Sequence, residues 1–463
     1  MRKVMNGMHL WRKYLSNKLV VLLCLFLALH LGIAHASLRR SPVVIAVEKS
    51  RPAVVNISTT VRERISPFLP FSGDDFFKDF FPDLFSREYT RSSLGSGVII
   101  DGTKGYILTN QHVIARASEI KVITSEKQEY QAKLIGADPR SDLAVLQISA
   151  RNKLPEIKMG NSDDLMIGET VIAIGNPFGL SHTVTTGVVS AVERSVRSEE
   201  RIYRHLIQTD ASINPGNSGG PLLNIDGELI GINTAIYQKA QGIGFAIPIN
   251  KAKRIVKELL RAGKVRPIWL GIEIQELTDA LRSHFGLPSG RGGVLVNDVM
   301  SGSTGAKAGL KRGDIIVSVG GIPVKGPGDY RDALAEFTPE DRLEMKVFRG
   351  GKFNGVVLQP STFPPSLALN LVYRRLGIKV GKLSKRTGGG YGSKSKVVVK
   401  EVRRGSEAGK IGVKPGDLIL KVNNMLVSNL DEFKKAISEY FNLPSINLVI
   451  QRGPYAYSLT LPF

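Results

Sequence analysis

The chain has 463 residues, 42% of them hydrophobic, which is long enough for about three domains and apolar enough to give each a core. Its formal net charge is +22 and its only cysteine is Cys24. No zinc finger, recognition helix or aromatic–basic stacking motif accompanies the charge, so a solvated basic surface is preferred over nucleic-acid binding.

Residues 1–36 read as a targeting segment. Arg2, Lys3, Arg12, Lys13 and Lys18 precede an apolar run over 19–29, and Ala34-His35-Ala36 supplies the small residues of a cleavage site. That site favours removal over retention as a membrane anchor. Cys24 follows Leu23 inside the apolar run, which argues against a lipid-modified cysteine. Beyond the segment there is no cysteine, so disulfides, thiol catalysis and cysteine metal sites are excluded. The product is an exported protein stabilised by packing alone, which suits a bacterial periplasm. A charge of +17 remains beyond the five leading basic residues, enough to favour anionic surfaces such as lipid headgroups or nucleic acid, with attachment to the envelope as one use beside a simply solvated surface.

A short helix and then a strand over 53–60 are predicted. Seven of the 18 phenylalanines lie between residues 65 and 86, interleaved with Asp74, Asp75, Asp79, Asp83 and three prolines. Acids and prolines make a poor core element, so this is a long loop with sticky side chains. It either contacts another subunit or folds onto its own domain. From 95 to 249 short β-branched runs alternate with glycine and polar turns, predicting strands at 97–101, 106–109, 120–123, 143–148, 170–174, 222–226 and 228–233. Many short strands indicate an all-β barrel or sandwich. Residues 250–262 form a helix with Ala252, Ile255, Val256, Leu259 and Leu260 on one face, and Gly263 ends it. A domain boundary belongs at 263–267. The remainder repeats: Gly302-Ser303 through Gly313-Asp314-Ile315-Ile316 returns 103 residues later as Gly405-Ser406 through Gly416-Asp417-Leu418-Ile419. Leu270-Gly271-Ile272 returns as Leu376-Gly377-Ile378. Two self-standing modules of 90–100 residues are expected, separated by a proline-bearing stretch at 359–365.

The chemistry centres on Asn214-Pro215-Gly216-Asn217-Ser218-Gly219-Gly220-Pro221. Glycines let successive N–H groups converge on one point, and a hydroxyl beside them is able to attack a carbonyl. An ordinary tight turn is the alternative, and partners elsewhere decide. Of the four histidines after residue 36, His284 lies in the first repeat, and His182 and His205 sit among polar loop residues. His112 stands where a strand runs into a turn. Asp142 enters the apolar run 143–148, where a carboxylate is either paired or costly. Asp138 and Asp210 are less well placed. The order His112, Asp142, Ser218 is that of the chymotrypsin barrels. His112 would serve as base, Asp142 as its orienting acid and Ser218 as nucleophile, with backbone N–H groups of the turn binding the oxyanion. No metal site, Walker loop or dinucleotide fingerprint is present, and no cofactor is expected.

Thr109-Asn110-Gln111-His112-Val113, Ser141-Asp142-Leu143-Ala144, Gly175-Asn176-Pro177-Phe178-Gly179, Gly216-Asn217-Ser218-Gly219-Gly220 and Gly242-Ile243-Gly244-Phe245-Ala246-Ile247-Pro248 resemble, in order, the signature blocks of the HtrA/Deg family of serine proteases. The export signal and two repeats resemble its periplasmic two-PDZ branch, the DegP/DegQ type. The resemblance implies a mainly β protein: a signal peptide (1–36), a chymotrypsin-like double β-barrel protease domain (37–263), and PDZ domains at 267–358 and 368–463. It implies an ATP-independent serine endopeptidase for misfolded exported proteins, a homotrimer that sometimes forms larger cages, and chaperone-like holding activity. A holding chaperone or peptide scaffold with minor proteolysis is the rival reading. The phenylalanine-rich segment (65–92) takes the place of the family's regulatory loop. Residues 175–179, 195–203 and 234–241 correspond to loops that order the oxyanion hole, which Gly216, Asn217 and Ser218 would form. Ser212 stands where trypsin-like enzymes that cut after Lys or Arg carry an acid. With Asn214 and Ile236 it implies a pocket for a small aliphatic residue. In the PDZ copies Leu270, Gly271 and Ile272, and Leu376, Gly377 and Ile378, would bind a peptide's terminal carboxylate. A flexible basic loop at 386–394 puts capture by the second copy in doubt.

Overall fold

The computed structural model describes residues 39–65, 87–115, 117–176, 183–197, 202–214, 216–234, 242–383 and 397–463. The expected targeting segment, the phenylalanines of 68–85, His182, Ile236 and the basic loop at 386–394 lie outside them. The chain divides into two compact units, Met1–Lys264 and Val265–Phe463.

Helix α1 (Pro42–Ser50) starts at Ser41, whose hydroxyl accepts the Val44 N–H, and Pro42 occupies a position that needs no donor. Strand β1 (Val54–Ile65) pairs antiparallel with β2 (Arg87–Asp101), from Val54 opposite Val98 to Ile65 opposite Arg87. Residues 87–92, expected within the loop, are therefore strand: β1 continues past residue 60 and offers their backbone groups a full set of partners. With β3 (Tyr106–Thr109), β4 (Glu119–Ile123), β5 (Glu129–Gln131), β6 (Lys133–Asp138) and β7 (Leu143–Gln147) they make a seven-stranded sheet ordered β5-β4-β1-β2-β3-β7-β6. Its two edge strands are separated by Ala132 alone, so the chain itself joins the edges and bends the sheet back on itself.

The next six strands, β8 (Thr170–Gly175), β9 (Thr183–Arg197), β10 (Ile202–Thr209), β11 (Pro221–Leu223), β12 (Leu229–Thr234) and β13 (Gly244–Pro248), close into a barrel ordered β10-β13-β12-β11-β8-β9. Val171, Ala173, Val189, Ile207, Leu222 and Ala246 pack among its core residues. Strand β11 stops three residues before the predicted 226. Asn224 Oδ1 accepts the N–H groups of Asp226 and Glu228, and Gly227 adopts φ 73°, which turns the chain. Helix α2 (Ile249–Ala262) follows, ended by Gly263 at φ 72° with its N–H on the Leu259 carbonyl. Its buried stripe is rotated from the expected one: Glu258 is buried and Leu260 is exposed. The two lie at opposite margins of the face formed by Ala252, Ile255, Val256 and Leu259, where packing rather than hydropathy decides.

The second unit holds both repeats. The first has β14 (Ile268–Trp269), β15 (Ile272–Glu276), β16 (Val294–Val299), β17 (Ile315–Val319), β18 (Ile322–Pro323), β19 (Leu343–Arg349) and β20 (Lys352–Leu358), with helix α3 (Pro327–Leu334). After β21 (Ser361–Thr362) and α4 (Ala368–Leu376), the second has β22 (Ile378–Lys382), β23 (Val397–Val402), β24 (Leu418–Val422), β25 (Met425–Leu426), β26 (Ser445–Arg452) and β27 (Tyr455–Pro462), with α5 (Leu430–Tyr440). Sheet orders β15-β16-β17-β19-β20 and β22-β23-β24-β26-β27 are the same arrangement twice. The repeated Gly-Asp block has a physical reason. Asp314, fully buried, receives Arg349 Nε at 2.5 Å and Nη2 at 2.6 Å, and Asp417 receives Arg452 at 2.7 Å through both nitrogens. Each arginine also donates to a glycine carbonyl, Gly309 or Gly412.

The stretch between the two copies is ordered and joins them. Strand β21, inside the proline-bearing stretch, pairs with β14. Trp269 of the first copy meets Phe363 edge-on at 5.7 Å, and Phe363 stacks on Phe441 of the second at 4.8 Å. Aromatic rings at such junctions bury large areas, so the intervening stretch is an ordered seam.

Candidate active site

Asp142 is the fixed point of the site. It has no exposed surface and sits at φ 58°, a left-handed conformation that aspartate tolerates better than most residues. Its carbonyl accepts the Asn110 side-chain amide at 3.0 Å and the Gln111 N–H at 3.1 Å, which holds that conformation. Its carboxylate then faces the short 3₁₀ turn His112–Ile114, entered directly from β3. Oδ1 accepts the His112 backbone N–H at 3.0 Å, and Oδ2 lies 2.7 Å from His112 Nδ1. Thr234 Oγ1, from the end of β12, donates to the same Oδ2 at 3.2 Å. A buried carboxylate is tolerable because donors surround it. Such a partner keeps the proton on Nδ1 and leaves Nε2 as the basic nitrogen, and the His112 side chain is 41% exposed, open to a substrate.

The glycine turn is anchored from three sides. Ser96 of β2 gives its N–H to the Ser218 carbonyl at 2.9 Å and its hydroxyl to the Gly216 carbonyl at 2.5 Å. The Ser96 Oγ also accepts the Asn176 N–H at 2.8 Å, and the Ser96 carbonyl accepts the Thr109 hydroxyl at 2.7 Å. Gly219 and Gly220 bond to Asn233 near the β12 end: Gly219 N–H to Asn233 O at 2.9 Å, and Asn233 N–H to Gly220 O at 2.9 Å. Gly219 adopts φ 83°, and a Cβ there would lie 2.2 Å from the Ser96 carbonyl and 2.3 Å from Thr109 Oγ1. Only glycine fits. The turn therefore rests against the end of β3, just before His112, and against the strand end that carries Thr234.

Ser218 is 5% exposed, and Gly216 adopts φ 102°. Asn217 departs from its expected role: its N–H donates to the Asn214 carbonyl at 3.0 Å, closing the turn. Gly216 and Ser218 remain the oxyanion donors to consider. Ser212 and Asn214 are exposed, and the Ser212 carbonyl accepts the Thr185 hydroxyl at 2.9 Å. The other acids are occupied structurally. Asp138 accepts the Ser141 N–H and Asp210 the Val188 N–H. His205 pairs with Glu193. Thr234 and Ser96 were not singled out from the sequence as site residues. Ser96 lies between Gly95 and Gly97, a flanking that signals close approach: a Cβ at either would strike Val113 or Ile107 and Ile57.

The two carboxylate nests share their turn and differ in the element that precedes it: Gly271 and Gly377 sit at φ 73° and 75°, and their carbonyls accept the Met300 and Arg403 N–H groups at 2.8 and 2.7 Å. In the first copy the turn follows β14, and Leu270 is buried. In the second, Leu376 ends α4 and Gly377 caps it, giving its N–H to the Tyr373 carbonyl at 3.0 Å. That N–H is spent, and a helix C-terminus carries partial negative charge. Leu376 and Ile378 beside Gly377 are fully buried.

The Trypsin-like peptidase domain family matches residues 95–232, and the PDZ domain family matches 295–349 and 398–452. Among similar proteins, a "Probable periplasmic serine endoprotease DegP-like" of Pseudomonas fluorescens is 40% identical over 441 residues, 89% of this chain and 91% of that protein. One of the same description from Chlamydia pneumoniae is 38% identical over 433 residues, 91% of this chain and 88% of that protein. The solved structure "HtrA-type protease AlgW with decapeptide" is 37% identical, with a TM-score of 0.47 over 69% of this chain and 98% of that one.

Proposed function

The chain belongs to the HtrA/Deg family of serine endoproteases, and from that premise we propose that Ser218, His112 and Asp142 carry an ATP-independent cleavage of unfolded exported proteins in the periplasm. The observation that supports this most is the threefold hold on the Asp142 carboxylate, by His112 N–H, His112 Nδ1 and Thr234, beside an anchored glycine turn. His112 Nε2 takes the Ser218 proton as Oγ attacks the peptide carbonyl. Gly216 and Ser218 N–H groups bind the oxyanion; each such donor contributes about 10²–10³ in rate. Collapse expels the amine, which leaves with the proton from His112. Water then enters, gives a proton to His112, attacks the acyl-enzyme and frees the new carboxyl end as Ser218 regains its proton. Asp142 stays ionised and stabilises the imidazolium. The Ser212, Asn214 and Ile236 pocket takes a small aliphatic residue before the cut. The signal segment delivers the chain, trimers and larger cages assemble it, and peptide capture by the first PDZ copy regulates it.

The test compares the protein with its Ser218→Ala variant on denatured casein. The expected result is cleavage by the native chain without ATP and none by the variant. No cleavage by the native chain, with both proteins suppressing aggregation equally, would replace this reading with a holding chaperone.

A further inference from the structure

A cleft of about 400 Å³ opens between β15 and α3 of the first PDZ copy, and Ile272, Ile274, Tyr330 and Leu334 form its apolar side. Strand β15 ends its sheet, so among the described residues its outer edge is open to an added extended peptide. The nest residues Leu270 and Ile272 line the same cleft, and Gly271 lines an adjoining one of about 310 Å³. The far wall belongs to the second copy: Arg374 and Arg375, from the last turn of α4, and residues 441–444.

The charges in this cleft do not balance. Three guanidiniums, Arg331, Arg374 and Arg375, share it with one carboxylate, Glu273, and the adjoining cleft adds Asp298, so cations still outnumber acids three to two. Arg374 pairs with Glu273. Arg375 gives one nitrogen to the Phe441 carbonyl at 2.8 Å and lies over the Phe463 ring at 5.1 Å. Arg331 is exposed on α3. Arg375 opens to solvent along part of its length, yet enough protein surrounds its guanidinium that desolvation holds its pKa below the ordinary value. Glu273 opposes that shift, while Arg374 and Arg331 add to it. Arg375 therefore feels both other cations, and all three line one cleft between the two copies. An anion in the cleft relieves that repulsion, and guanidiniums match carboxylates in shape as well as charge.

We propose that the first PDZ copy selects peptide chain ends bearing an acidic side chain among their last few residues. The terminal carboxylate sits in the 270–272 nest and the acidic side chain against Arg331, Arg374 and Arg375, which makes the second copy part of the first copy's ligand site. This rests on the reading of the first copy as a peptide-capturing module.

The test uses full-length protein carrying Ser218→Ala, to prevent cleavage, and fluorescence anisotropy with two labelled peptides. Both end in the same apolar residue; one carries Glu and the other Gln in the preceding positions. The Glu peptide is expected to bind about tenfold more tightly at low salt, with the ratio falling as salt rises. Arg331→Gln, a surface substitution that leaves the fold intact, should reduce that ratio, and Arg374→Gln with Arg375→Gln should bring it near one while the Gln peptide binds as before. Equal affinities for the two peptides overturn the charge selection and leave peptide capture standing. Binding of neither peptide, or binding unaffected by amidating the chain end, overturns the capture reading and this proposal with it.

Discussion

Asp142 shows how far a single residue is legible. Its place at the entrance to an apolar strand required a partner, and His112 meets it at 2.7 Å. Thr234 also reaches that carboxylate, but the bond joins residues 92 apart and exists only because the second barrel closes beside the first sheet. No local pattern announces such a contact. Removing it should leave the carboxylate short of a donor and His112 less firmly oriented. Thr234→Val is therefore expected to lower kcat about tenfold with KM little changed, since a hydrogen bond to a charged group contributes about 1.5–3 kcal/mol. Thr234→Ser should restore most of it in steady-state assays on a peptide substrate. A valine variant with native kcat would show that Thr234 fills space and nothing more. Ser96 is a parallel case, bridging to Gly216 across 120 residues.

Elements were legible where local chemistry decides them. The α2 stop at Gly263 and the turn geometry of Gly219 follow from glycine's access to positive φ. The Leu270-Gly271-Ile272 and Leu376-Gly377-Ile378 match returns as the same glycine turn, entered from a strand in one copy and from a helix end in the other, a difference no three-residue pattern carries. The repeated Asp–Arg pair makes a sharper claim about elements. Arg349→Ala would leave Asp314 buried without its counter-ion, keeping the Lys311 N–H as a donor, and Arg452→Ala would do the same to Asp417, which keeps the Lys414 N–H. Breaking such a pair typically costs about 3–5 kcal/mol, and the partly exposed arginines place these at the lower end. Hydrogen exchange should show lost protection of β17 and β19 in the first variant and of β24 and β26 in the second. Because the copies share the Trp269–Phe363–Phe441 stack, some loss should cross the seam. Exchange unchanged in both copies would mean the pairs are dispensable.

At the scale of the molecule, a double β-sheet protease unit and a two-PDZ unit follow one another along the chain. Among the described residues the bonds that hold Asp142, His112 and the glycine turn involve no lysine or arginine, and attachment to anionic envelope surfaces is the use proposed for the large positive charge. Purified protein should bind anionic lipid vesicles at low ionic strength and release them in moderate salt, because exposed charges are screened beyond about 10 Å at 0.1 M. Salt-independent binding, or none, would remove that role. Sedimentation of the purified protein should likewise give three chains or a multiple of three; a monomer at micromolar concentration would argue against the proposed assembly.

What the amino-acid sequence determined by itself was chemistry carried within a few adjacent residues. The glycine turn around Ser218, the strand end before His112, the buried approach to Asp142 and the 103-residue repeat all depend on short-range composition and spacing. Tertiary structure alone decided what depends on distant segments meeting: the Thr234 and Ser96 supports, the diversion of the Asn217 N–H, and the capped nest of the second copy. It also decided that Arg374 and Arg375 line the groove of the other copy. Side-chain identity is local, but a donor, a charge or a wall acquires its partner only when the chain closes on itself.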